Sequence, residues 1–280
     1  MRSFSLALSV LLLPACELQP ELELLPGAGV DDPGGFILDE KIYGGLPPDA
    51  LHHDAVVGLH ELTRRGVYTL PFCTGTLIGD DWVLTAAHCV VDSRGRAKSA
   101  SKFAIYVGDD PSIDLTSHMY TVSAVYAHSS YNRSTLRNDI ALLRLTSPIT
   151  EVDPVPYLPA AEALSSADIG ADLNHAGFGY DETRDYGVKL QVDLPLGGFG
   201  CVVAGCGSAG DAATQISYSQ AGGLGIGPCN GDSGGPAFIT RGAVTYVAGI
   251  TSYGDSTCNI YGVSTRVDGF ATWINGYTGL

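Results

Sequence analysis

Basic residues are scarce in this chain. Its 280 residues include 15 lysines and arginines against 30 aspartates and glutamates, which gives a formal net charge of -15 at pH 7. A protein that binds nucleic acid neutralises phosphates with clustered basic side chains, so this balance argues against nucleic acid as a partner. The charge predicts a soluble, acidic surface.

A long hydrophobic run is also missing. The apolar stretch near the N-terminus extends only from Leu6 to Leu13, too short to span a bilayer as a helix. It follows one arginine and leads to small residues, a pattern typical of an export signal. The segment from Leu13 to Cys16 resembles the lipobox of bacterial lipoproteins, which predicts cleavage before Cys16 and a lipid on its sulfur. A plain secretory signal with an incidental cysteine is the alternative.

No Cys-x-x-Cys pair occurs, and the histidines are not spaced around the cysteines as zinc ligands usually are. We therefore expect no metal site and no other cofactor. Apart from Cys16, six cysteines remain, an even number that can form three disulfides in an oxidising compartment. These six are Cys73, Cys89, Cys201, Cys206, Cys229 and Cys258.

Tandem repeats and low-complexity tracts are absent as well. Residues 17–41 are acidic, contain several prolines and glycines, and predict a tether or pro-segment with little structure of its own. From residue 42 onward, short β-type runs alternate with turn signals, which favours a sandwich or a barrel. Phe270, Trp273, Ile274 and Tyr277 follow helical spacing and predict a C-terminal helix that docks on a barrel.

Three segments carry residue types that together perform nucleophilic catalysis. "LTAAHCV" contains His88, "RNDIALLRL" contains Asp139, and "NGDSGGP" contains Ser233. A serine hydroxyl is a poor nucleophile at its own pKa and needs a base within hydrogen-bonding reach. That imidazole in turn needs an acid to fix its tautomer and stabilise its charge.

With "IYGG" at residue 42, "FCTGTLIGDDWVLTAAHC", "AGFGY" and "GITSYG", these segments resemble the chymotrypsin/trypsin family of serine endopeptidases. The chain order His, Asp, Ser is that of this family. The resemblance implies an all-β fold of two six-stranded antiparallel Greek-key β-barrels with a C-terminal helix. We expect a signal peptide at residues 1–15, a lipidated tether at 16–41 and a peptidase domain at 42–280, its barrels covering about 42–150 and 151–280.

The resemblance also assigns roles. Ser233 attacks the substrate carbonyl, His88 takes and returns the proton, and Asp139 orients His88. The amides of Gly231 and Ser233 hold the negative oxygen of the tetrahedral intermediate, and Ser252 resembles the serine that hydrogen-bonds the family's catalytic aspartate. An inactive binding-only relative and a structural envelope lipoprotein are the competing classes, but neither requires an intact triad.

Asp232 adjoins the nucleophile, and a buried carboxylate is costly without a cation. In the family it pairs with an α-ammonium made by cleavage, so we expect a zymogen cut between Lys41 and Ile42 by an activating protease. Tyr43 departs from the valine that is usual there. No cysteine between Cys16 and Lys41 could hold the tether, so activation would also release a lipid-anchored precursor from the membrane to the outside of the cell.

The resemblance pairs the cysteines around the His88 loop and those that join the Ser233 turn to the pocket wall, and we expect the remaining two to form a small local bridge. The expected pairs are Cys73–Cys89, Cys229–Cys258 and Cys201–Cys206.

The pocket for the substrate residue before the scissile bond lacks an acid at the position where trypsins carry aspartate. That position is Gly227. Uncharged surroundings and two glycine walls predict a preference for large hydrophobic or aromatic residues in protein or peptide substrates. The full set of predicted substrate-binding residues is Gly227, Pro228, Ser252, Tyr253, Gly254 and Gly262. Asp255 lies near enough in sequence to attract a basic side chain instead. The acids Asp109, Asp110 and Asp114 admit a calcium site, although solvated loop acids explain them as well.

Overall fold

The structure is a computed structural model that describes residues 42, 45–62, 70–114, 118–181, 183, 187–207, 210–221 and 226–280. The predicted signal peptide and tether, with Cys16, Lys41 and Tyr43, lie outside the described residues. No helix in the described part of the chain is long and apolar enough to cross a bilayer.

The first sheet is a closed antiparallel barrel of six strands. The strands are β1 (Val56–Glu61), β2 (Cys73–Gly79), β3 (Trp82–Thr85), β4 (Phe103–Tyr106), β5 (Met119–Ala127) and β6 (Ala141–Leu145). Their spatial order is β1-β2-β3-β6-β5-β4, so after β3 the chain crosses to β4, which pairs with β1, and returns through β5 to β6, which pairs with β3. β2 and β3 are buried along their whole length, as expected of short apolar and β-branched runs inside a barrel.

The second sheet has seven antiparallel strands. They are β7 (Asp172–Gly177), β8 (Leu190–Pro195), β9 (Gly198–Phe199), β10 (Gln215–Ser219), β11 (Pro236–Arg241), β12 (Val244–Gly254) and β13 (Tyr261–Arg266). The order is β8-β7-β11-β12-β13-β10-β9. The seventh strand is the two-residue β9, which extends the sheet at the edge beside β10. The predicted all-β fold of two barrel-like antiparallel sheets is therefore confirmed, with one short strand more than expected.

Helical structure is limited. Three α-helices occur among the described residues: α1 (Ala87–Val90), α2 (Pro111–Asp114) and α3 (Ala271–Thr278). Short 3-10 turns cover Leu51–Ala55, Ala100–Lys102, Ala160–Glu162, Ser166–Asp168 and Asp268–Phe270.

The C-terminal helix α3 docks against the first barrel, as its apolar spacing predicted. Ile274 is fully buried, and the Tyr277 ring lies 4.7 Å from that of Tyr126 on β5. The helix ends at Gly279, whose positive φ of 73° and N–H bond to the Asn275 carbonyl form a left-handed C-cap.

Three disulfides are present in the structure. Cys73–Cys89 ties the start of β2 to α1, Cys229–Cys258 ties the segment before Ser233 to the loop between β12 and β13, and Cys201–Cys206 closes a local loop.

Candidate active site

Strand pairing brings His88 and Asp139 together. Thr85 at the end of β3 pairs with Ala141 at the start of β6, so the chain leaves β3 where it enters β6. The backbone N–H of His88 donates to Asp139 Oδ1 at 2.8 Å, and His88 Nδ1 lies 2.7 Å from Asp139 Oδ2. The Cys73–Cys89 disulfide holds the residue next to His88.

Asp139 is fully buried, whereas the side chain of His88 is 26% exposed. Ser252 Oγ donates to Asp139 Oδ2 at 2.6 Å, and Thr265 Oγ1 donates to the Asp139 carbonyl at 3.0 Å. Because the carboxylate faces Nδ1, the imidazole carries its proton there and leaves Nε2 free to accept one.

Ser233 lies in the turn before β11 and is partly exposed. Its carbonyl accepts the backbone N–H of Thr74 at 2.8 Å, and the N–H of Gly234 donates to the Thr251 carbonyl at 2.8 Å. The turn is thus fixed to both sheets. Ser233 and His88 line the same cleft, which has a volume of about 280 Å³.

Hydrogen bonds to their carbonyl oxygens fix the orientation of two peptide groups in this turn. The Asn230 carbonyl accepts from the N–H of Tyr180 at 2.9 Å, and the Asp232 carbonyl accepts from the N–H of Gly235 at 2.8 Å. In a trans peptide the N–H points opposite to the C=O, so the N–H groups of Gly231 and Ser233 point the other way. Gly231 has a positive φ of 104°, which favours glycine.

Asp232 is 1% exposed and has no cationic partner among the described residues. Its carboxyl accepts N–H groups from Gly179 at 2.7 Å and Cys229 at 2.8 Å. Burial raises its pKa from 3.8 to about 7, and these two hydrogen bonds only partly oppose that rise. The side chain of Ile42 is fully buried in a cluster that includes Tyr218.

The cleft wall contains five of the six predicted pocket residues. These are Pro228, Ser252, Tyr253, Gly254 and Gly262. Gly227 does not line the cleft. A Cβ built on Gly227 would overlap the side chain of Gln220, which fills the space beside it.

Comparison with known proteins agrees with this geometry. The family model for trypsin matches residues 42–274, which is most of the chain. The chain belongs to the trypsin family. The protein is therefore a trypsin-like serine endopeptidase, a hydrolase that acts on protein substrates.

The match to relatives in the trypsin family covers different shares of each relative's length. Brachyurin from Leptuca pugilator is 30% identical over 85% of this chain and 99% of its own length. Trypsin from Phaedon cochleariae is 28% identical over 98% of both chains. Vitamin K-dependent protein C from Rattus norvegicus is 31% identical over 74% of this chain, which spans only 46% of that longer protein.

Asp255 lines the cleft, and its carboxylate is held by its own loop. Oδ1 accepts the N–H groups of Ile260 at 2.8 Å and Tyr261 at 3.1 Å, and Oδ2 accepts that of Thr257 at 2.9 Å. Burial alone would raise the pKa of Asp255, but these donors outweigh it and lower the pKa to about 2. The carboxylate is thus already occupied by hydrogen bonds of the loop.

Possible metal ligands are committed to other bonds. The ligand atoms of Cys73, His88 and Cys89 form the one such group in the described part of the chain, and both sulfurs belong to a disulfide. At the predicted calcium alternative, Asp109 pairs with the buried ammonium of Lys189 at 3.0 Å.

Sequence reasoning missed three residues that shape this site. Thr74 is buried, donates to the Gly231 carbonyl at 2.9 Å and accepts the N–H of Phe178 at 3.1 Å. Gln220 and Tyr218 pack beside the glycines of the cleft. The "CTGT" segment around Thr74 was a visible signal, whereas Gln220 and Tyr218 have no local pattern that marks them.

Proposed function

We propose that this peptidase hydrolyses peptide bonds with His88, Asp139 and Ser233 as its catalytic triad. Ser233 Oγ attacks the carbonyl carbon while its proton passes to His88 Nε2, and Asp139 stabilises the imidazolium. The observation that carries this proposal is the 2.7 Å contact between His88 and Asp139 beside Ser233 in one cleft.

The negative oxygen of the tetrahedral intermediate would be bound by the N–H groups of Gly231 and Ser233. Each such donor typically contributes about 3 kcal/mol to the transition state. The C–N bond then breaks, and His88 returns the proton to the leaving amine. Water repeats the sequence on the acyl-enzyme and restores Ser233.

The uncleaved chain is proposed to be a zymogen that another protease activates between Lys41 and Ile42. Two observations support this. Asp232 is buried without a cationic partner in the described part of the chain, and a new α-ammonium at Ile42 would supply one. Ile42 also has a positive φ of 57°, a strained conformation for a β-branched residue. Because φ requires a preceding carbonyl, cleavage at Lys41 removes that strain.

For substrates, we propose a preference for large hydrophobic or aromatic residues before the scissile bond. No carboxylate stands at the Gly227 position. The carboxylate of Asp255 does line the cleft, but it is held by hydrogen bonds from its own loop. A basic side chain that reaches the Gly227 position would therefore meet no carboxylate there. Gly254 and Gly262 both line the cleft and present no side chain of their own to the substrate.

The sequence before residue 42 supports an exported precursor. We propose a signal peptide at residues 1–15 and a tether at residues 16–41 with lipid on Cys16. The peptidase domain would cover residues 42–280, with a barrel boundary near residue 150. The precursor would be a cell-envelope lipoprotein, and cleavage after Lys41 would release the active enzyme to the extracellular side.

A fluorophosphonate probe tests the catalytic assignment. The form that begins at Ile42 should become labelled with 1:1 stoichiometry at Ser233, and Ser233→Ala should abolish labelling and peptidase activity. Ser252→Ala retains the nucleophile and is the matched serine control, which should still label. Labelling of the Ser233→Ala protein at another residue would reject the triad.

Activation and anchoring need separate tests. Cells that express the chain should incorporate labelled palmitate into the precursor, and Cys16→Ser should lose the label. The soluble fraction should contain active enzyme that begins at Ile42. Active enzyme found only in membranes with an intact tether would contradict the release step.

A further inference from the structure

Gln220 was not predicted at the site, and its side chain fills the space beside Gly227, behind residues that line the substrate cleft. It follows β10, its backbone N–H donates to the Ile260 carbonyl at 3.0 Å, and it is only 2% exposed. The side-chain Nε2 donates to the Pro228 carbonyl at 2.9 Å and approaches the Cys258 carbonyl at 3.4 Å.

These contacts fix the orientation of the carboxamide. Carbonyl oxygens only accept hydrogen bonds, so the amide nitrogen must be the end that faces Pro228 and Cys258. The amide oxygen, Oε1, therefore points in the other direction. It is buried and has no donor among the described residues. A buried acceptor without a donor is costly, and such a group calls for a partner.

Oε1 lies beside the Gly254 wall of the substrate cleft. Gly254 lines the cleft together with Ser233, whereas Pro228 and Cys258, which also line it, face the amide nitrogen of Gln220. Oε1 lies 3.6 Å from the position that a Cβ on Gly254 would take, and the carboxamide fills the space beside Gly227. A substrate side chain that reaches the end of the cleft would meet this oxygen.

Tyr218 fills the space beside Gly262, another glycine of the cleft. A Cβ on Gly262 would overlap the Tyr218 ring, which is fully buried and also lines the cleft. Tyr218 and Gln220, here called the floor of the cleft, thus fill the spaces that Gly262 and Gly227 would otherwise leave open. Both side chains are uncharged, and the carboxamide of Gln220 retains one acceptor without a donor among the described residues.

We infer that Gln220 is a specificity-determining residue, and that its Oε1 accepts a hydrogen bond from a neutral donor at the far end of the substrate side chain before the scissile bond. This inference rests on the proposed function, because it needs the cleft to bind that side chain. It predicts that tyrosine is preferred over phenylalanine and glutamine over methionine, since each pair has a similar shape but only the first member carries a donor.

Matched peptide substrates test the inference on the activated enzyme. In peptides that differ only at this residue, kcat/KM should be about tenfold higher for tyrosine than for phenylalanine, and higher for glutamine than for methionine. A ratio of threefold or more in either pair supports the inference. Ratios below threefold in both pairs overturn it.

Two substitutions at Gln220 assign the effect to this side chain. Gln220→Met keeps the length but removes the acceptor, so both ratios should fall to about one. Gln220→Glu places a carboxylate beside Gly227, and the arginine-to-phenylalanine ratio should rise at least tenfold. Gln191→Met changes another buried glutamine that lies on β8 outside the cleft, and it should leave all ratios unchanged. Because ratios are compared, differences in the amount of folded enzyme cancel.

The same peptides separate this inference from the proposed function. If arginine substrates are cleaved best by the wild-type enzyme, the uncharged pocket itself is wrong. If tyrosine and phenylalanine both exceed arginine but equal each other, and glutamine equals methionine, the pocket stands and only the role of Gln220 fails.

Discussion

In the uncleaved chain, Asp232 and His175 make opposite contributions to the pH dependence of the free energy of unfolding. One substitution, His175→Leu, should reveal the contribution of Asp232. Burial raises the pKa of Asp232 from 3.8 to about 7 and lowers the pKa of His175 from 6.5 to about 3. The two residues lie in one region, since the His175 ring lies 4.3 Å from the ring of Tyr218 and the charge of Asp232 contributes to the raised pKa of Tyr218. Neither nitrogen of His175 has a partner among the described residues.

The sign of each contribution follows from proton binding. Folded Asp232 keeps its proton up to about pH 7, whereas the unfolded chain releases it near pH 3.8. The free energy of unfolding therefore falls across this range, by about 4 kcal/mol at 1.36 kcal/mol per pH unit. Folded His175 stays neutral down to about pH 3, whereas the unfolded chain binds a proton below pH 6.5. Its contribution therefore rises with pH, by about 5 kcal/mol.

Between pH 4 and pH 6.5 these two slopes nearly cancel. In a Ser233→Ala background, which prevents self-cleavage, His175→Leu removes the rising contribution and leaves the falling one. The slope of the unfolding free energy against pH should become more negative by about 1.4 kcal/mol per pH unit. Denaturant unfolding followed by circular dichroism at several pH values measures it, and subtraction of the two proteins removes the contributions of all other acids.

Cleavage after Lys41 supplies the control for Asp232. An α-ammonium beside this carboxyl lowers its pKa again, so the falling slope should disappear in the cleaved His175→Leu protein. Equal slopes for the parent and His175→Leu would show that folded His175 gains protons as the unfolded chain does. A falling slope that survives cleavage would refute the pairing with Ile42.

Three further outcomes follow from the contacts of the site. Ser252→Ala removes the 2.6 Å donor to Asp139, and kcat/KM should fall about tenfold while fluorophosphonate labelling persists. Thr74→Val keeps the side-chain shape but leaves the buried N–H of Phe178 and the partly buried carbonyl of Gly231 unpaired, so the free energy of unfolding should fall by about 2–4 kcal/mol. Replacing Cys201 and Cys206 by alanine should cost about 2 kcal/mol, because the bridge closes a short loop.

Controls for these variants come from the same chain. Thr240→Val breaks an exposed contact with Thr245 and should change the free energy of unfolding by less than about 0.5 kcal/mol. Removal of Cys229–Cys258, which spans 29 residues, should cost more than removal of Cys201–Cys206, at about 3–4 kcal/mol. The reverse order of these two costs would contradict the loop-length argument. If Thr74→Val left the free energy of unfolding unchanged, its two backbone partners would have found other hydrogen bonds.

The predictable part of the structure is the part encoded locally. Short β runs between turn signals indicated a sandwich or a barrel, and the family resemblance implied two barrels. The spacing of Ile274 and Tyr277 indicated the docked helix. Ser252 was assigned from its segment, and it does donate to Asp139. The two-residue β9 had no signal, because so short a strand forms only when a neighbouring strand offers its edge.

The floor of the cleft was not predictable in the same way. Gly227, Gly254 and Gly262 indicated open space, but glycines report only that a backbone is approached closely. Which side chain approaches depends on the tertiary fold, and Tyr218 and Gln220 reach the glycines from an adjoining strand end. Similarly, a carboxylate at a pocket can accept its hydrogen bonds from its own loop. The sequence does not show this, whereas the structure shows that the Asp255 carboxylate does so.

The chemistry of Gln220 also bears on activation. The activation site follows a basic residue, Lys41, whereas Gly227 and the neutral carboxamide of Gln220 beside it give a lysine side chain no counter-ion at that end of the pocket. The mature enzyme should therefore be a poor activator of its own precursor, and activation would depend on a protease of different specificity. Gln220→Glu should let the enzyme accept lysine before the scissile bond, because it adds a negative charge to the pocket and leaves Ser233 and Lys41 unchanged. Precursor with Gln220→Glu, seeded with its own active form, should convert to the form that begins at Ile42 much faster than wild-type precursor seeded with wild-type enzyme. Equal rates of conversion would contradict this prediction, because they would show that the charge of the pocket does not determine whether the enzyme activates its own precursor.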